Sequence, residues 1–172
     1  MTEAPPLYRS TVPVFLAVLD RLEATLARAR AQATDAALEQ RPAAGMLPAG
    51  RQVATAVQFT LRIAFPLAGE RVPELRGALD FDGLFERIGA ARGHLASLPP
   101  DAFAGAETRQ VRAQAGFAML DLPGDAFLHE FGLPNLYFHH AMAHVALKQA
   151  GVSLRKADFD GKHDYPEGFS FG

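Results

Sequence analysis

The sequence contains no cysteine among its 172 residues. This absence excludes disulfide bonds, thiolate metal ligands and a cysteine nucleophile. An excess of charge is missing too, because 17 basic residues stand against 19 acidic ones and the formal net charge is -2. Without a basic excess, we expect no binding to nucleic acid or to an anionic membrane surface.

Long apolar runs are also missing, and none approaches the roughly 20 residues that a membrane-spanning helix requires. The opening sequence, MTEAPPLYRST, has acidic and proline residues where a signal peptide has basic residues followed by an apolar stretch. We therefore expect a cytoplasmic protein. Nucleotide-binding glycine motifs and a nucleophile elbow are absent, so the sequence gives no signal for those two classes of site.

The composition that remains is ordinary for a globular protein, with 49% apolar and 21% charged residues in a length typical of one domain. Apolar residues recur at helical spacing in four stretches. The first helix is predicted to follow a cap at Ser10 or Thr11 and to end near residue 31. The second is predicted to begin near residue 47 and to be ended or kinked by Pro66.

The rest of the pattern predicts two more helices and a hairpin between them. The third helix follows a cap at Asp80 or Asp82. Alternating residues at 108–113 and 117–121 predict two short strands joined by a turn. The fourth helix is predicted over residues 124–150.

These elements predict an all-α fold, a four-helix bundle with a small β-hairpin before the last helix. We place the bundle at residues 8–161 and an irregular C-terminal tail at residues 162–172. From Val152 onward we expect irregular structure that wraps on the surface. In the last helix, Pro134 is expected either to kink one helix or to separate a short helix from a long one.

Within the last predicted helix, the stretch 131–151 carries three of the six histidines: His139, His140 and His144. His144 follows His140 by one turn, and such a pair can place two imidazole nitrogens on one divalent ion, for example zinc, nickel or iron. A third protein ligand is needed. His129 comes into register with His140 only if the helix runs straight through Pro134, and Gln52 on the second helix offers an amide, which is a poor ligand for zinc or nickel.

A second interpretation needs no ion. His139 lies between Phe138 and an alanine-rich face, and we expect it to be a buried residue that forms hydrogen bonds. Gln52 heads the buried face of the second helix. Together with Tyr137, these two residues are predicted to form a polar network that lines a ligand-binding cleft between the second and fourth helices.

Several segments resemble a bacterial family of uncharacterised proteins, a domain of unknown function grouped with the DinB-like metalloenzymes. The similar segments span about residue 8 to Gly161: Tyr8 with TVPVFL, Met46-Leu-Pro48, Arg51-Gln52, SLPPDAFAGAE, GLPNLYFHH and RKADFDG. The resemblance implies a four-helix bundle, a hairpin before the last helix and a homodimer. The histidine at position 139 is one that this subfamily carries.

Metal-bearing DinB-like relatives use one histidine from the second helix and an HxxxH pair from the last, and the pair corresponds here to His140 and His144. Residues 47–65 contain no histidine, and Gln52 is nearest to the expected position. Two hypotheses follow, and the sequence assigns no catalytic residue to either. One is a non-catalytic dimer that binds a small ligand or a partner through Gln52, Tyr137 and His139. The other is a metal-dependent transferase or isomerase of the thiol-dependent type.

Overall fold

Four long helices contain most of the helical residues that the structure describes. The computed structural model describes residues 3–166 and 168–169, and the predicted tail beyond these residues lies outside the described part. The long helices are α1 (Val12–Gln32), α2 (Ala49–Leu67), α3 (Phe81–Ala96) and α4 (Leu133–Gln149). The prediction of four helices counted only these. The chain adds a short α5 (Lys156–Asp160) and isolated turns at Pro6–Arg9, Asp35–Glu39 and Pro100–Phe103.

The helix ends follow local chemistry. Asp80 caps α3, because its Oδ1 accepts a hydrogen bond from the Gly83 N–H at 2.8 Å. Pro66 lies in the last turn of α2, which ends one residue later. The predicted side-chain cap of α1 was wrong: Thr11 precedes the helix, but its hydroxyl donates to the Leu7 carbonyl at 2.5 Å, because the preceding helical turn presents that oxygen.

The hairpin consists of β1 (Gln110–Ala115) and β2 (Ala118–Pro123), which pair antiparallel. The strands are displaced by one or two residues from the predicted ones, because the turn falls at Gly116-Phe117 and Gly116 adopts a φ of 59°. Arg62 of α2 ties the hairpin to the helices, since its Nη2 donates to the Gln114 carbonyl at 2.7 Å. The hairpin is therefore supported by the long helices, as a lone two-stranded hairpin requires.

The approach to α4 is helical without a break. A turn at Gly124–Ala126 leads into a π-helical stretch at Phe127–Gly132, and α4 follows directly. Pro134 occupies the first turn of α4 and does not divide the helix. Because a π turn holds more residues than an α turn, it shifts the helical register. The straight-helix register that would align His129 with His140 does not hold.

The core lies among the long helices. The most extensive helix–helix contact is between α2 and α4, and α3 packs against both α1 and α2. The short α5 lies on α1 and also contacts α4. Three phenylalanines are completely buried: Phe15, Phe103 and Phe127. Within the part of the chain that the structure describes, no helix has the length and apolar character needed to cross a membrane.

Candidate functional site

The histidines of α4 lie on two different sides of the helix. His139 contacts α2, whereas His140 and His144 contact Phe159 of the short helix α5. Adjacent residues on an α-helix are rotated by about 100°, so His139 and His140 cannot share one face. We call these two sides the α2 side and the α5 side.

On the α2 side, His139 is paired with a glutamine. Its Nδ1 lies 2.7 Å from Oε1 of Gln52, whose Nε2 donates to the Leu47 carbonyl at 3.2 Å. Gln52 is 1% exposed, and these two hydrogen bonds satisfy both of its polar atoms within the protein. The imidazole stacks on Phe59, with the two ring centres 5.6 Å apart. Nδ1 of His139 and both polar atoms of Gln52 therefore have partners within the protein.

The positive charge of Arg62 acts on His139. Burial lowers the pKa of His139, and the positive charge of Arg62 lowers it further. Arg62 itself lies over the Phe59 ring, 4.6 Å from its centre. His139 is therefore neutral near pH 7, and its Nδ1–H can donate to the glutamine oxygen.

On the α5 side, two imidazole nitrogens have no partner. His140 is 2% exposed, and the Nδ1 atoms of His140 and His144 are both buried without a hydrogen-bond partner in the described part of the chain. The Phe159 ring packs against both imidazoles, with its centre 4.3 Å from that of His140 and 6.1 Å from that of His144. Unpaired buried polar atoms are uncommon and costly, which marks this side as the unusual one.

Both of these histidines are held neutral. Burial, followed by the neighbouring His144, lowers the pKa of His140 to about 4. Burial and then Lys148 lower the pKa of His144, and Asp158 opposes them. Neutral imidazoles can accept a hydrogen bond from a ligand or bind a metal ion.

The residues predicted as metal ligands are not brought together as a set of three. His129 is exposed on the π-helical stretch, where its Nδ1 lies 2.9 Å from the Asp125 carbonyl oxygen. Gln52 is occupied by His139 on the other side of α4. Across residues 3–166 and 168–169, no three His, Cys, Asp or Glu side chains are grouped so that they could hold a metal ion. The described residues therefore do not fit a three-ligand metal site.

A cavity of about 490 Å³ opens on the α5 side, between α1, α4 and the C-terminal end of α5. Tyr137, predicted to join Gln52 and His139, lies here with His140 instead. This volume is in the range of small-ligand sites. The lining residues combine apolar walls with charged groups: Arg9, Pro13, Val14, Ala17, Val18, Arg21, Tyr137, His140, Phe159, Asp160 and Lys162.

The short helix α5 positions Phe159 over the histidines, where we predicted irregular structure. Asp158 stabilises its first turn, because Oδ2 accepts a hydrogen bond from the Arg155 N–H at 2.7 Å. Gly161 ends the helix with a φ of +66°. Asp158 also forms an ion pair with Arg28 of α1, with Oδ1 and Nη2 3.3 Å apart. This ion pair ties α5 to α1. The sequence signal for this helix was the segment RKADFDG. Its acidic residue, Asp158, stands three positions after Arg155, and its glycine, Gly161, stands at the end.

Two comparisons with known proteins point to the same group. A family model described as "Domain of unknown function (DUF1993)" matches residues 7–160. A crystal structure of a DinB family member protein from Shewanella denitrificans is similar over 93% of this chain and 94% of that chain, with 30% sequence identity and a TM-score of 0.83. No curated protein is significantly similar in sequence.

Proposed function

Because the chain belongs to the DUF1993 family of DinB-like proteins, which is described as a domain of unknown function, we propose its function from its own site. The protein binds a small ligand, without catalysing a reaction, in the cavity on the α5 side of α4. The observation that carries this proposal is the position of His140. This buried imidazole with an unpartnered nitrogen lines a cavity of about 490 Å³.

The walls of the cavity suit a small organic molecule. Tyr137 and Phe159 provide aromatic surface, and the side chains of Val14 and Val18 provide aliphatic surface from α1. Pockets for small ligands are mostly apolar with a few polar groups that fix orientation, and this cavity has both. Tyr137 keeps the ligand-binding role that the sequence analysis gave it.

The α2 side has a supporting role in this proposal. Gln52 and His139 satisfy each other inside the most extensive helix contact of the protein. A complete polar pair of this kind fixes how two helices pack. By holding α4 against α2, the pair keeps Tyr137 and His140 in place at the opposite side of the helix.

A fluorescent dye tests whether the cavity is a binding site. N-phenyl-1-naphthylamine is neutral and apolar, and its emission rises in apolar surroundings. The Ala17→Phe variant fills the cavity from α1, because Ala17 is one of the lining residues. Ala24→Phe is the matched control: Ala24 is exposed two turns further along α1, outside the lining.

We expect the dye to bind the unmodified protein and Ala24→Phe with equal affinity, and to bind Ala17→Phe at least tenfold more weakly, which corresponds to about 1.4 kcal/mol. Equal binding to all three proteins would mean that the cavity is not the site. Circular dichroism of the two variants checks that both retain the helical fold.

The alternative is a divalent-metal-dependent enzyme of the thiol-dependent transferase or isomerase type. Two neutral histidines one turn apart, each with an unpartnered Nδ1, favour it. The described residues supply no third ligand, so we derive no metal-dependent step. Elemental analysis of untagged protein beside His144→Ala distinguishes the two. About one equivalent of zinc, nickel or iron, lost in the variant, would favour the enzyme.

We also propose that the protein is a homodimer. Its support is the apolar surface that α4 leaves exposed, where Phe138 and Val145 are 49% and 37% accessible and lie seven residues apart, on one face of the helix. Light scattering coupled to size-exclusion chromatography should give twice the mass of the chain. A monomer at all accessible concentrations would contradict this part of the proposal.

A further inference from the structure

The charges around the cavity are unbalanced. Three basic side chains line it, Arg9, Arg21 and Lys162, against a single acidic one, Asp160, among the lining residues. His140 is neutral there and adds no charge. A concave surface with an excess of one sign concentrates molecules of the opposite sign.

The acidic residue is already engaged by its own turn. The Asp160 carboxylate accepts hydrogen bonds from the backbone N–H groups of Lys162 at 2.8 Å and His163 at 3.0 Å, and it also contacts the His163 ring. These backbone hydrogen bonds hold the pKa of Asp160 low, at about 2. Arg9 is engaged as well, in an ion pair with Glu3.

Arg21 and Lys162 remain available, and of the two Arg21 is the less exposed. It is half-buried on α1, and it forms no hydrogen bond or ion pair with any residue that the structure describes. Its guanidinium lies directly against Gly161, where an added Cβ would come within 2.1 Å of the Arg21 Cζ. The glycine therefore lets the chain approach the arginine closely, and the five N–H donors of that group have no acceptor among the described residues.

We propose that this cavity binds a small organic anion, whose apolar body packs against Tyr137 and Phe159 and whose anionic group pairs with Arg21. This inference rests on the proposed function and names the chemical class of its ligand. Arginine suits the role, because its planar guanidinium can donate two parallel hydrogen bonds to a carboxylate, sulfonate or phosphate. Lys162 adds positive charge at the rim.

Two dyes that differ in charge test this inference. 1-Anilinonaphthalene-8-sulfonate has the same aromatic body as N-phenyl-1-naphthylamine and carries one sulfonate in addition. We expect the sulfonate dye to bind more tightly, to weaken about tenfold in Arg21→Gln and to weaken with added salt. The neutral dye should bind Arg21→Gln as it binds the unmodified protein.

Two further variants serve as controls. Arg21→Lys keeps the positive charge and should retain the preference for the sulfonate dye. Arg51→Gln removes an equal charge from an exposed position on α2 and should leave both affinities unchanged. If both dyes are excluded by Ala17→Phe but Arg21→Gln has no effect on the sulfonate dye, the cavity binds ligands and the anion preference is wrong. If Ala17→Phe affects neither dye, the proposed function itself fails.

Discussion

The two sides of α4 carry neighbouring histidines in opposite situations. On the α2 side, His139 has a glutamine partner at 2.7 Å, and Gln52 has its second polar atom bonded as well. On the α5 side, His140 is buried with an unpartnered nitrogen, and a cavity opens beside it. The comparison teaches that burial of a histidine alone does not identify a functional site. What separates the two sides is whether the protein itself satisfies the polar atoms.

The largest expected effect is on the pH dependence of stability. A pKa lowered from 6.5 to about 4 means that the unfolded chain takes up a proton at His140 before the folded protein does. The stability contributed by the neutral imidazole is therefore complete above pH 6.5 and lost as the pH falls to about 4. We expect this residue to account for about 3 kcal/mol of the loss between pH 7 and pH 4.

Urea unfolding at both pH values, compared with His140→Leu, measures this contribution. Carboxylates also titrate in this range, and the variant retains them, so the difference between the two proteins isolates His140. The variant should lose less stability than the unmodified protein on acidification. Equal losses would show that His140 is not buried and neutral as described.

The second-largest effect is expected on the free energy of unfolding when the polar pair of the α2 side is broken. Gln52→Ala leaves the Nδ1–H of His139 without an acceptor and creates a cavity at a position that is 1% exposed. Such a change costs about 2 kcal/mol of unfolding free energy. Gln110→Ala, at an exposed position at the start of β1, is the control and should cost less than about 0.5 kcal/mol.

The double variant Gln52→Leu/His139→Phe sharpens this comparison. Replacing both partners with apolar groups removes the hydrogen bond without leaving a buried polar atom unpaired, and such exchanges can be nearly neutral. We expect the double variant to be more stable than Gln52→Ala. If the two are equally destabilised, the hydrogen bond is not what the α2 side depends on.

A smaller effect is expected from uncovering the α5 side. Phe159→Ala removes the ring that lies 4.3 Å from the His140 ring and admits water to the imidazole. The pKa of His140, followed by NMR, should then rise toward 6.5 by roughly one unit. Phe117→Ala at the fully exposed tip of the hairpin is the control. An unchanged pKa in Phe159→Ala would show that Phe159 does not keep this histidine dry.

The four long helices followed from local signals in the sequence, and so did some of their ends, although the side-chain cap of α1 did not. Asp80 or Asp82 was expected to cap α3, because either side chain can accept from an N–H of the first turn, and Asp80 does so. Pro66 was expected near the end of α2 and lies in its last turn. The π-helical stretch before Pro134 was not foreseen, because apolar periodicity cannot distinguish one wide turn from a regular helix.

The candidate site was harder to predict, because it depends on which helix face meets which neighbour. The spacing of His140 and His144 is the same whether they face α2 or α1 and α5. The cover provided by Phe159 could not be derived either, since α5 is five residues long and depends on contacts with α1. Helices this short are not stable alone, so their sequence signal is weak.

The most direct test of the difference between the two sides is an NMR map of ligand binding. Amide resonances of the labelled protein would be followed while 1-anilinonaphthalene-8-sulfonate is added. We expect the largest shifts at residues that line the cavity, in particular at Val14, Arg21, His140 and Phe159, and no comparable shifts at Gln52 or Phe59. Shifts centred on Gln52, Phe59 and His139 would contradict the account, because ligand binding would then lie on the α2 side.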